Sequence, residues 1–252
     1  MKKANSISAW VLWVVIALCI ANLLAFAAVS YFKYNNVYFH GKTDASSMLG
    51  NAVALTFDDG PKEPYTSQIL DILRKENVSA TFFILGENAV KEPQIVRRIS
   101  EEGHELGVHA YTHKSLLLQG KNTSIQQISV TKTLLEAIAG NSGRDRERAG
   151  GEAGNGKKIK LFRPPYGVFS PVTVSHSKKL NLSLVLWSIN SRDYKEKDKD
   201  AIIRNVLENA NLKPGAIILL HVNSELSVDA LSGIISGLKE KGFTFAKVSE
   251  II

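Results

Sequence analysis

Short apolar runs of strand character alternate with stretches of helical periodicity along residues 51–252, and this alternation constrains the fold more than any other feature of the chain. Repeated β-then-α units are typical of a parallel sheet or a barrel. About seven such units predict an α/β fold, a distorted (β/α) barrel that falls short of the usual eight repeats. The predicted strands are 52–57, 80–85, 105–109, 160–163, 182–189, 216–221 and 243–248. The predicted helices are 64–76, 88–101, 124–139, 171–180, 198–210 and 228–241.

The first predicted strand ends in two adjacent carboxylates, Asp58 and Asp59, which precede a sharp Gly60-Pro61 break. The carboxyl ends of parallel strands form the face on which such folds build their sites. Two neighbouring carboxylates repel each other, and a bound cation or a shared proton would relieve the repulsion. The alternative is a simple turn, since Asp, Gly and Pro are turn-forming residues.

Later strands also end in side chains that are capable of catalysis: His109, Arg163, Asp193 and His221. In a parallel barrel these ends converge on one face, so we expect the side chains to share a site with Asp58 and Asp59. So many strand ends with such side chains are hard to explain as buried polar residues that only form hydrogen bonds within a core.

Two histidines, His109 and His113, are four residues apart and would share one face of a helical turn. Two histidines and one carboxylate form a common catalytic zinc set that leaves a coordination position for water. The carboxylate would come from Asp58 or Asp59. The alternative is a pair of solvent-exposed histidines on one helix face, and His104 is expected only to pack or cap locally.

The N-terminal segment predicts a membrane anchor. The segment 1–9 is short, polar and basic, and we expect it to lie in the cytoplasm. Residues 10–32 contain no charged residue, and as a helix they would span roughly 34 Å, enough for a bilayer core of about 30 Å. A transmembrane signal-anchor at 10–32 would place the rest of the chain outside the cytoplasm. A cleaved signal peptide, suggested by Ala25-Phe26-Ala27, and a buried soluble helix are the alternatives.

Composition and charge limit what the remaining segments can be and which partners the chain can have. Residues 33–50 are a polar linker before the domain at 51–252, and the low-complexity stretch 140–158 is expected to be a surface loop. The net charge of +7 is not gathered into a basic patch with interleaved aromatics, so we expect no nucleic-acid partner. The only cysteine, Cys19, lies in the N-terminal apolar run, which excludes an intrachain disulfide and a cysteine-based metal site.

Taken as a set, five motifs resemble those of the polysaccharide deacetylase family, also called the NodB-homology or carbohydrate esterase family four domain. The motifs are Thr56-Phe57-Asp58-Asp59-Gly60, His109-x3-His113, Arg163-Pro164-Pro165-Tyr166, Asp193-Tyr194 and Leu220-His221. The resemblance covers about 51–252. It implies a distorted (β/α) barrel, a divalent metal that is usually zinc, and hydrolytic removal of N-acetyl groups from amino sugars of polymers such as peptidoglycan or chitin.

The resemblance also implies a role for each matching residue. The metal ligands would be Asp59, His109 and His113. The catalytic residues would be Asp58 as general base, Arg163 as the cation that holds it, His221 as general acid, Asp193 as the carboxylate that orients the acid, and the backbone N–H of Tyr166 as oxyanion donor. The choice of Asp59 over Asp58 as ligand rests on the resemblance alone. Besides Zn²⁺, such a ligand set accepts Co²⁺, Mn²⁺ or Ni²⁺.

Three positions depart from the family pattern. Ala110 replaces the usual Ser or Thr between the two histidines, Tyr194 replaces the usual Trp, and Asn190 stands where many members have Asp. None of them has a direct chemical role, so we expect an active enzyme that acts on an N-acetylated glycan. A catalytically weak, glycan-binding member at the cell envelope and a metal hydrolase of another bond are the alternatives. The oligomeric state has no signal in the sequence.

Overall fold

The computed structural model describes residues 9–34, 36–43, 49–140 and 157–252, which divide into one unit that ends at Asn36 and another that runs from Val37 to Ile252. Almost all of the predicted surface loop at 140–158 and most of the predicted cytoplasmic segment at 1–9 lie outside the described residues.

The first unit contains one helix, α1 (Ala9–Tyr34). Large apolar side chains on it are exposed, Trp10 and Trp13 among them. Among the residues that the structure describes, no helix reaches the combination of length and apolarity that a membrane crossing requires, so the span predicted at 10–32 is not supported by this criterion.

The second unit is built on a curled, all-parallel sheet that resembles half of a barrel, which is consistent with the predicted distorted (β/α) barrel. The strands are β1 (Val37–Tyr38), β2 (Ala52–Gly60), β3 (Thr81–Ile84), β4 (Glu105–Val108), β5 (Leu161–Phe162), β6 (Ser183–Val185), β7 (Ile189–Asn190), β8 (Ile217–His221) and β9 (Thr244–Phe245). Their order is β1-β6-β5-β4-β3-β2-β8-β7, and β9 pairs with the start of β2.

Helices connect most of these strands, as parallel pairing requires. They are α2 (Tyr65–Glu76), α3 (Gly86–Lys91), α4 (Pro93–Glu101), α5 (Lys121–Gly140), α6 (Pro171–Lys179), α7 (Lys199–Leu207), α8 (Glu225–Glu240) and α9 (Val248–Ile251). Each longer helix buries one apolar face: on α2 this face is formed by Ile69, Leu70 and Leu73. The alternating pattern in the sequence therefore correctly predicts a parallel sheet whose strands are connected by helices.

Strand β2 lies at the centre of the sheet and is buried from Ala52 to Asp58. It pairs in parallel with β3 on one side and with β8 on the other. In the register with β8, Asp58 lies opposite His221. Two of the predicted site residues are therefore brought together by the sheet itself.

Two predicted elements are divided in the structure. The helix predicted at 88–101 is two helices, because Pro93 has no backbone N–H to continue the hydrogen bonds of α3 and instead begins α4. The strand predicted at 182–189 is also two elements, because β6 pairs with β5 whereas β7 pairs with β8. The end of the predicted strand at 243–248 is the start of α9.

Part of the predicted linker at 33–50 belongs to the fold. Val37 and Tyr38 form β1 and pair with Leu184 and Val185 of β6. Farther along, the buried Gly41 donates its backbone N–H to the carbonyl of Gly215 at 2.7 Å. A polar composition did not reveal this segment as a strand, because its partners lie far away in the sequence.

Candidate metal and catalytic site

The carboxyl ends of the strands surround a cavity of about 300 Å³. Its lining contains Asp58, Asp59, His109, His113, Tyr166, Gly167, Trp187, Asn190, Tyr194, Leu219, His221 and Asn223. Six of the eight predicted site residues line it directly, and the other two, Arg163 and Asp193, are buried beside it with hydrogen bonds to lining residues.

One cluster in the cavity has the composition of a metal site. Asp59 Oδ1 lies 3.4 Å from His109 Nε2 and 3.3 Å from His113 Nε2. One potential ligand atom from each of the three residues lies within 4.8 Å of the others. Asp59 reaches this position with a φ of 70°, in the left-handed region, directly after the buried part of β2.

The ring of His109 is oriented by the backbone. Its Nδ1 lies 2.8 Å from the carbonyl oxygen of Arg163. Since a carbonyl can only accept a hydrogen bond, Nδ1 carries a hydrogen, and Nε2 is the ring nitrogen that faces Asp59. Metal-binding histidines are commonly oriented in this way.

The protonation states also suit a cation. Burial opposes ionisation of Asp59, but the neighbouring His109 and His113 outweigh it and lower the pKa of this carboxyl to about 2. Burial lowers the pKa of His113, which favours the neutral ring that binds metals. Asp59 Oδ1 is buried and has no hydrogen-bond donor among the described residues. A divalent cation therefore fits this set of donors.

Asp58 is held by a buried ion pair. Arg163 is fully buried and donates from Nη1 to Asp58 Oδ1 at 2.7 Å. Its other donors go to Thr56 Oγ1 at 2.8 Å and to the carbonyls of Val185 at 3.2 Å and Leu186 at 2.8 Å. With its donors distributed among four fixed acceptors, the guanidinium cannot move, and it fixes the Asp58 carboxylate at the end of β2.

A second pair, His221 and Asp193, lies at the same cavity, with His221 in its lining. His221 Nδ1 is 2.7 Å from Asp193 Oδ1, and the backbone N–H of His221 donates to Asp193 Oδ2 at 2.7 Å. Ser227 Oγ donates to the same Oδ2 at 2.8 Å. Burial disfavours the imidazolium, but the hydrogen bond and charge of Asp193 outweigh it and raise the pKa of His221. With Nδ1 engaged, Nε2 is the ring nitrogen left for a proton transfer.

A family model for polysaccharide deacetylases matches residues 46–185, more than half of the chain, and its match includes Asp58 as well as the three residues of the cluster. The chain belongs to the polysaccharide deacetylase family. The assignment made from the five motifs is therefore confirmed.

Named relatives agree with the family match. The peptidoglycan-N-acetylglucosamine deacetylase of Bacillus cereus is 41% identical over 197 residues, which cover 77% of this chain and 65% of that protein. The peptidoglycan-N-acetylmuramic acid deacetylase PdaA of Bacillus subtilis is 32% identical, over 81% of this chain and 74% of its own length. The chain thus spans slightly less than two thirds of the first relative and about three quarters of the second.

A solved structure supports the fold as well. The crystal structure of the peptidoglycan N-acetylglucosamine deacetylase Bc1960, in complex with 4-naphthalen-1-yl-N-oxidanyl-benzamide, superposes with a TM-score of 0.75 and is 36% identical. The superposition covers 88% of this chain and 95% of that one. The shared fold therefore extends well beyond the segment that the family model matches.

The segment that joins the two histidines of this family member is a loop, so the prediction that they share a helical turn is wrong. Ala110 has a φ of 68°, which a continuous helix does not allow, and residues 111–114 form bends. His109 and His113 nevertheless converge, because the loop folds back on itself. His104 behaves as expected: it is buried, and its Nδ1 accepts from the backbone N–H of Ala80.

A glutamine from α5 fixes this loop. Gln127 Oε1 accepts hydrogen bonds from the backbone N–H groups of Tyr111 at 3.0 Å and Thr112 at 2.8 Å. The backbone N–H of Gly86 donates to the carbonyl of Ala110 at 3.0 Å. These contacts support the loop at the position where Ala110 lacks the hydroxyl that the family pattern has. Sequence reasoning missed Gln127, since a glutamine within a helix has no strand-end signal.

We expect Gln127→Ala to weaken metal binding by about tenfold, the lower end of the effect of residues that orient metal ligands. The loop that presents His113 would lose two hydrogen bonds at once. Titration of the metal-free protein with Zn²⁺ measures the affinity, and excess metal should restore full occupancy of the site. Gln127→Glu keeps the acceptor and should remain close to the native protein. Gln126→Ala, on the exposed face of α5, is the matched control. Unchanged affinity in Gln127→Ala would contradict the role.

Aromatic side chains form one wall of the cavity in this deacetylase-family chain. Tyr166 has a φ of 61°, donates its hydroxyl to the carbonyl of His113 at 3.0 Å and is 61% exposed. The Tyr194 ring, 55% exposed, stands edge-on to His221 with centroids 5.5 Å apart. Trp187 completes the wall and was not singled out from the sequence. It lies between β6 and β7, and the prediction of one continuous strand concealed its position.

Two asparagines also line the cavity. Asn190 Oδ1 accepts from the backbone N–H of Arg192 at 2.8 Å, so it shapes the loop that leads to Asp193. Asn223 Nδ2 lies 3.4 Å from Asp59 Oδ2. Sequence reasoning missed Asn223, although it comes two residues after His221 and the strand-end rule would have found it.

Proposed function

We propose that this chain is a metal-dependent hydrolase that removes N-acetyl groups from the amino sugars of a polysaccharide, with peptidoglycan as the first candidate and a chitin-like N-acetylglucosamine polymer as the second. The observation that carries the proposal is the meeting of three groups in one cavity. The Asp59, His109 and His113 donors lie beside the Asp58–Arg163 pair and the His221–Asp193 pair. The names of the relatives favour peptidoglycan.

Asp59, His109 and His113 would hold a divalent cation, with Zn²⁺ expected first and Co²⁺, Mn²⁺ or Ni²⁺ as alternatives. When bound, such an ion supplies Lewis-acid activation, which polarises an amide carbonyl and makes water more acidic.

Asp58 is placed to act as the base. Arg163 occupies its Oδ1, and the second oxygen, Oδ2, lies 3.8 Å from His109 Nε2, on the side of the cluster. Asp58 takes a proton from the attacking water as the water oxygen bonds to the acetyl carbon. The backbone N–H of Tyr166 is proposed as the donor to the developing oxyanion, an interaction that typically contributes about 3–4 kcal/mol.

His221 is placed to act as the acid. The charge of Asp193 keeps the ring protonated to higher pH than an isolated histidine, as a general acid requires. Nε2 gives its proton to the sugar nitrogen as the carbon–nitrogen bond breaks. The products are acetate and the protonated amine of the sugar, which takes up the second proton of the water, while the proton taken by Asp58 makes up for the proton given by His221.

Acetate release by the purified chain tests this proposal. With N-acetylglucosamine oligomers and with peptidoglycan as substrates, we expect release that a chelator stops and added Zn²⁺ restores. A folded, metal-loaded protein that binds glycan without releasing acetate would instead be the glycan-binding member. Inactivity on acetylated sugars together with hydrolysis of another ester or amide would point to a hydrolase of a different bond.

We also propose that the domain works outside the cytoplasm, anchored through residues 10–32. Peptidoglycan lies outside the cell membrane, this stretch contains no charged residue, and apolar side chains such as Trp10 and Trp13 are exposed on α1. Protease treatment of intact cells, combined with fractionation, tests both parts. Protection from protease, or recovery in the soluble cytoplasmic fraction, would contradict them.

A further inference from the structure

Three loops of the site contain a non-glycine residue in the left-handed backbone conformation. Asp59, near the end of β2, has a φ of 70°. Ala110, two residues beyond β4, has a φ of 68°, and Arg192, two residues beyond β7, has a φ of 58°. This conformation is unfavourable for a residue with a side chain, and it persists only where surrounding contacts fix it. Each loop carries a group of the proposed reaction: Asp59 itself, the two histidines of the cluster, and Asp193.

Asn88 fixes the first of these loops. It is half-buried on α3 and donates from Nδ2 to the backbone carbonyl of Asp59 at 2.9 Å. The backbone N–H of Leu85, the residue before α3, donates to the carbonyl of Gly60 at 3.0 Å. The start of α3 therefore holds two successive carbonyls at the end of β2. Because these bonds fix the backbone on which Asp59 is carried, they also fix the direction of its carboxylate toward the two histidines.

Asn205 fixes the loop that carries Asp193. It is half-buried on α7 and donates from Nδ2 to the carbonyl of Ser191 at 2.9 Å. The N–H of the same peptide group, which belongs to Arg192, donates to Asn190 Oδ1 at 2.8 Å. Both ends of the peptide group before the left-handed residue are thus bonded to side-chain amides. The position of this peptide group determines where the chain places Asp193 beside His221.

The loop between the two histidines has the same kind of support. Gln127 of α5 accepts from the N–H of Tyr111, in the peptide group that follows the left-handed Ala110. In all three loops, a side-chain amide from a helix bonds a peptide group next to the left-handed residue. The three amides come from different helices, α3, α5 and α7, so each loop is supported separately.

We propose that Asn88 and Asn205 are positioning residues, Asn88 for the metal ligand Asp59 and Asn205 for Asp193 and, through it, the acid His221. The proposal deepens the proposed function and rests on it. It divides the support of the site into two parts that can be disturbed one at a time. Loss of Asn88 should loosen the metal site alone, and loss of Asn205 should misplace the acid alone. A merely structural role would instead affect both parts together.

The first arm of the test substitutes Asn88 in the full chain. We expect Asn88→Ala to weaken binding of Zn²⁺ to the metal-free protein by about tenfold, the lower end of the effect of groups that support metal ligands. With zinc at saturation, the basic limb of its kcat profile should stay at the pH of the native chain. Val90→Ala, on the exposed part of the same helix, is the matched control.

The second arm substitutes Asn205. Asn205→Ala should keep the native affinity for Zn²⁺ and lower kcat by about tenfold, because a misplacement of about 1 Å in an active site can cost about 10²-fold. The basic limb should move to lower pH, because a displaced Asp193 raises the pKa of His221 less. The charges of Asp58 and Asp59 also raise this pKa, and the substitution leaves both in place. Arg204→Ala, on the exposed face of α7, is the matched control.

Two milder variants guard against a failure to fold. Asn88→Ser and Asn205→Ser should show the same pattern in smaller form, and thermal unfolding measures the stability of every variant. If each substitution changes both the zinc affinity and the basic limb, or if neither changes either of them, the proposal is overturned.

Two of the readouts need no turnover and separate this proposal from the proposed function. They are the affinity for Zn²⁺ and the titration of the His221 ring, followed by NMR. If no acetate is released but Asn88→Ala weakens zinc binding and Asn205→Ala lowers only the pKa of His221, the positioning roles stand and the proposed reaction fails. If acetate is released but neither variant differs from its control, the reaction stands and the positioning roles fail.

Discussion

Asp58→Asn is expected to lower the rate of acetate release by roughly 10²–10⁴-fold, the range that general acid–base groups contribute. Asparagine keeps the shape of the side chain and can still accept a hydrogen bond from Arg163. It cannot take a proton from water. The effect should appear in kcat with little change in KM, because the substitution removes an interaction that matters only in the transition state.

The same substitution has a cost in stability that must be measured separately. Arg163 is fully buried and would lose the carboxylate of Asp58, which lies 2.7 Å from its Nη1. Removing one member of a buried ion pair typically costs about 3–5 kcal/mol, and the retained hydrogen bond should reduce this. Thermal unfolding shows whether the variant is folded, and its metal content shows whether it still binds the metal ion.

Thr56→Val provides the matched control. Thr56 Oγ1 accepts from Arg163 and donates to the carbonyl of Ile218 at 2.7 Å, so its loss disturbs the same buried network without removing the proposed base. We expect Thr56→Val to unfold at lower temperature yet to keep most of its rate. Comparable rates in a folded, metal-loaded Asp58→Asn and in the native chain would exclude Asp58 as the base.

The sequence predicted the part of the site that depends on strand ends. An apolar strand that is buried in a parallel sheet presents the residues at its carboxyl end on a common face, and Asp58 and His221 were found in this way. The sheet register then determines which strand ends are neighbours, and this could not be known from local pattern. Predicting the curled sheet required only the alternation of periodicities, whereas the short β1 depended on a partner far along the chain.

Contacts between distant segments explain most of what was missed. Gln127 supports a loop 15 and 16 residues away, and no periodicity marks a helical glutamine for that role. The wrong helical assignment of His109 and His113 has a local cause. Ala110 adopts a left-handed backbone conformation, and an alanine in a sequence does not indicate such a conformation. The division of the helix at 88–101 was readable, because Pro93 begins a helix more readily than it continues one.

Asp193→Asn is expected to lower the rate by roughly 10²–10⁴-fold and to change its pH dependence. Asp193 holds His221 by two hydrogen bonds of 2.7 Å, one to the ring and one to the backbone N–H. Its negative charge outweighs burial and raises the pKa of His221, so its loss should lower that pKa. A general acid must be protonated, and the basic limb of the kcat profile should therefore move to lower pH.

The raised pKa of His221 also determines how the stability of the folded state changes with pH. Because the folded pKa of His221 lies above the value of 6.5 for the free side chain, protonation of this ring stabilises the folded state. The contribution is fully present below pH 6.5 and is lost as the pH rises through the folded pKa. In Asp193→Asn this part of the pH dependence of unfolding should disappear, which denaturant unfolding at several pH values measures.

Ser227→Ala separates the charge of Asp193 from its position. It removes the 2.8 Å hydrogen bond to Asp193 Oδ2 but keeps the carboxylate, so we expect a small fall in rate and a basic limb close to that of the native chain. If Asp193→Asn lowers the rate while leaving the basic limb in place, the titrating acid is not His221. If instead both variants shift the limb equally, the orientation of Asp193, rather than its charge, controls the protonation of His221.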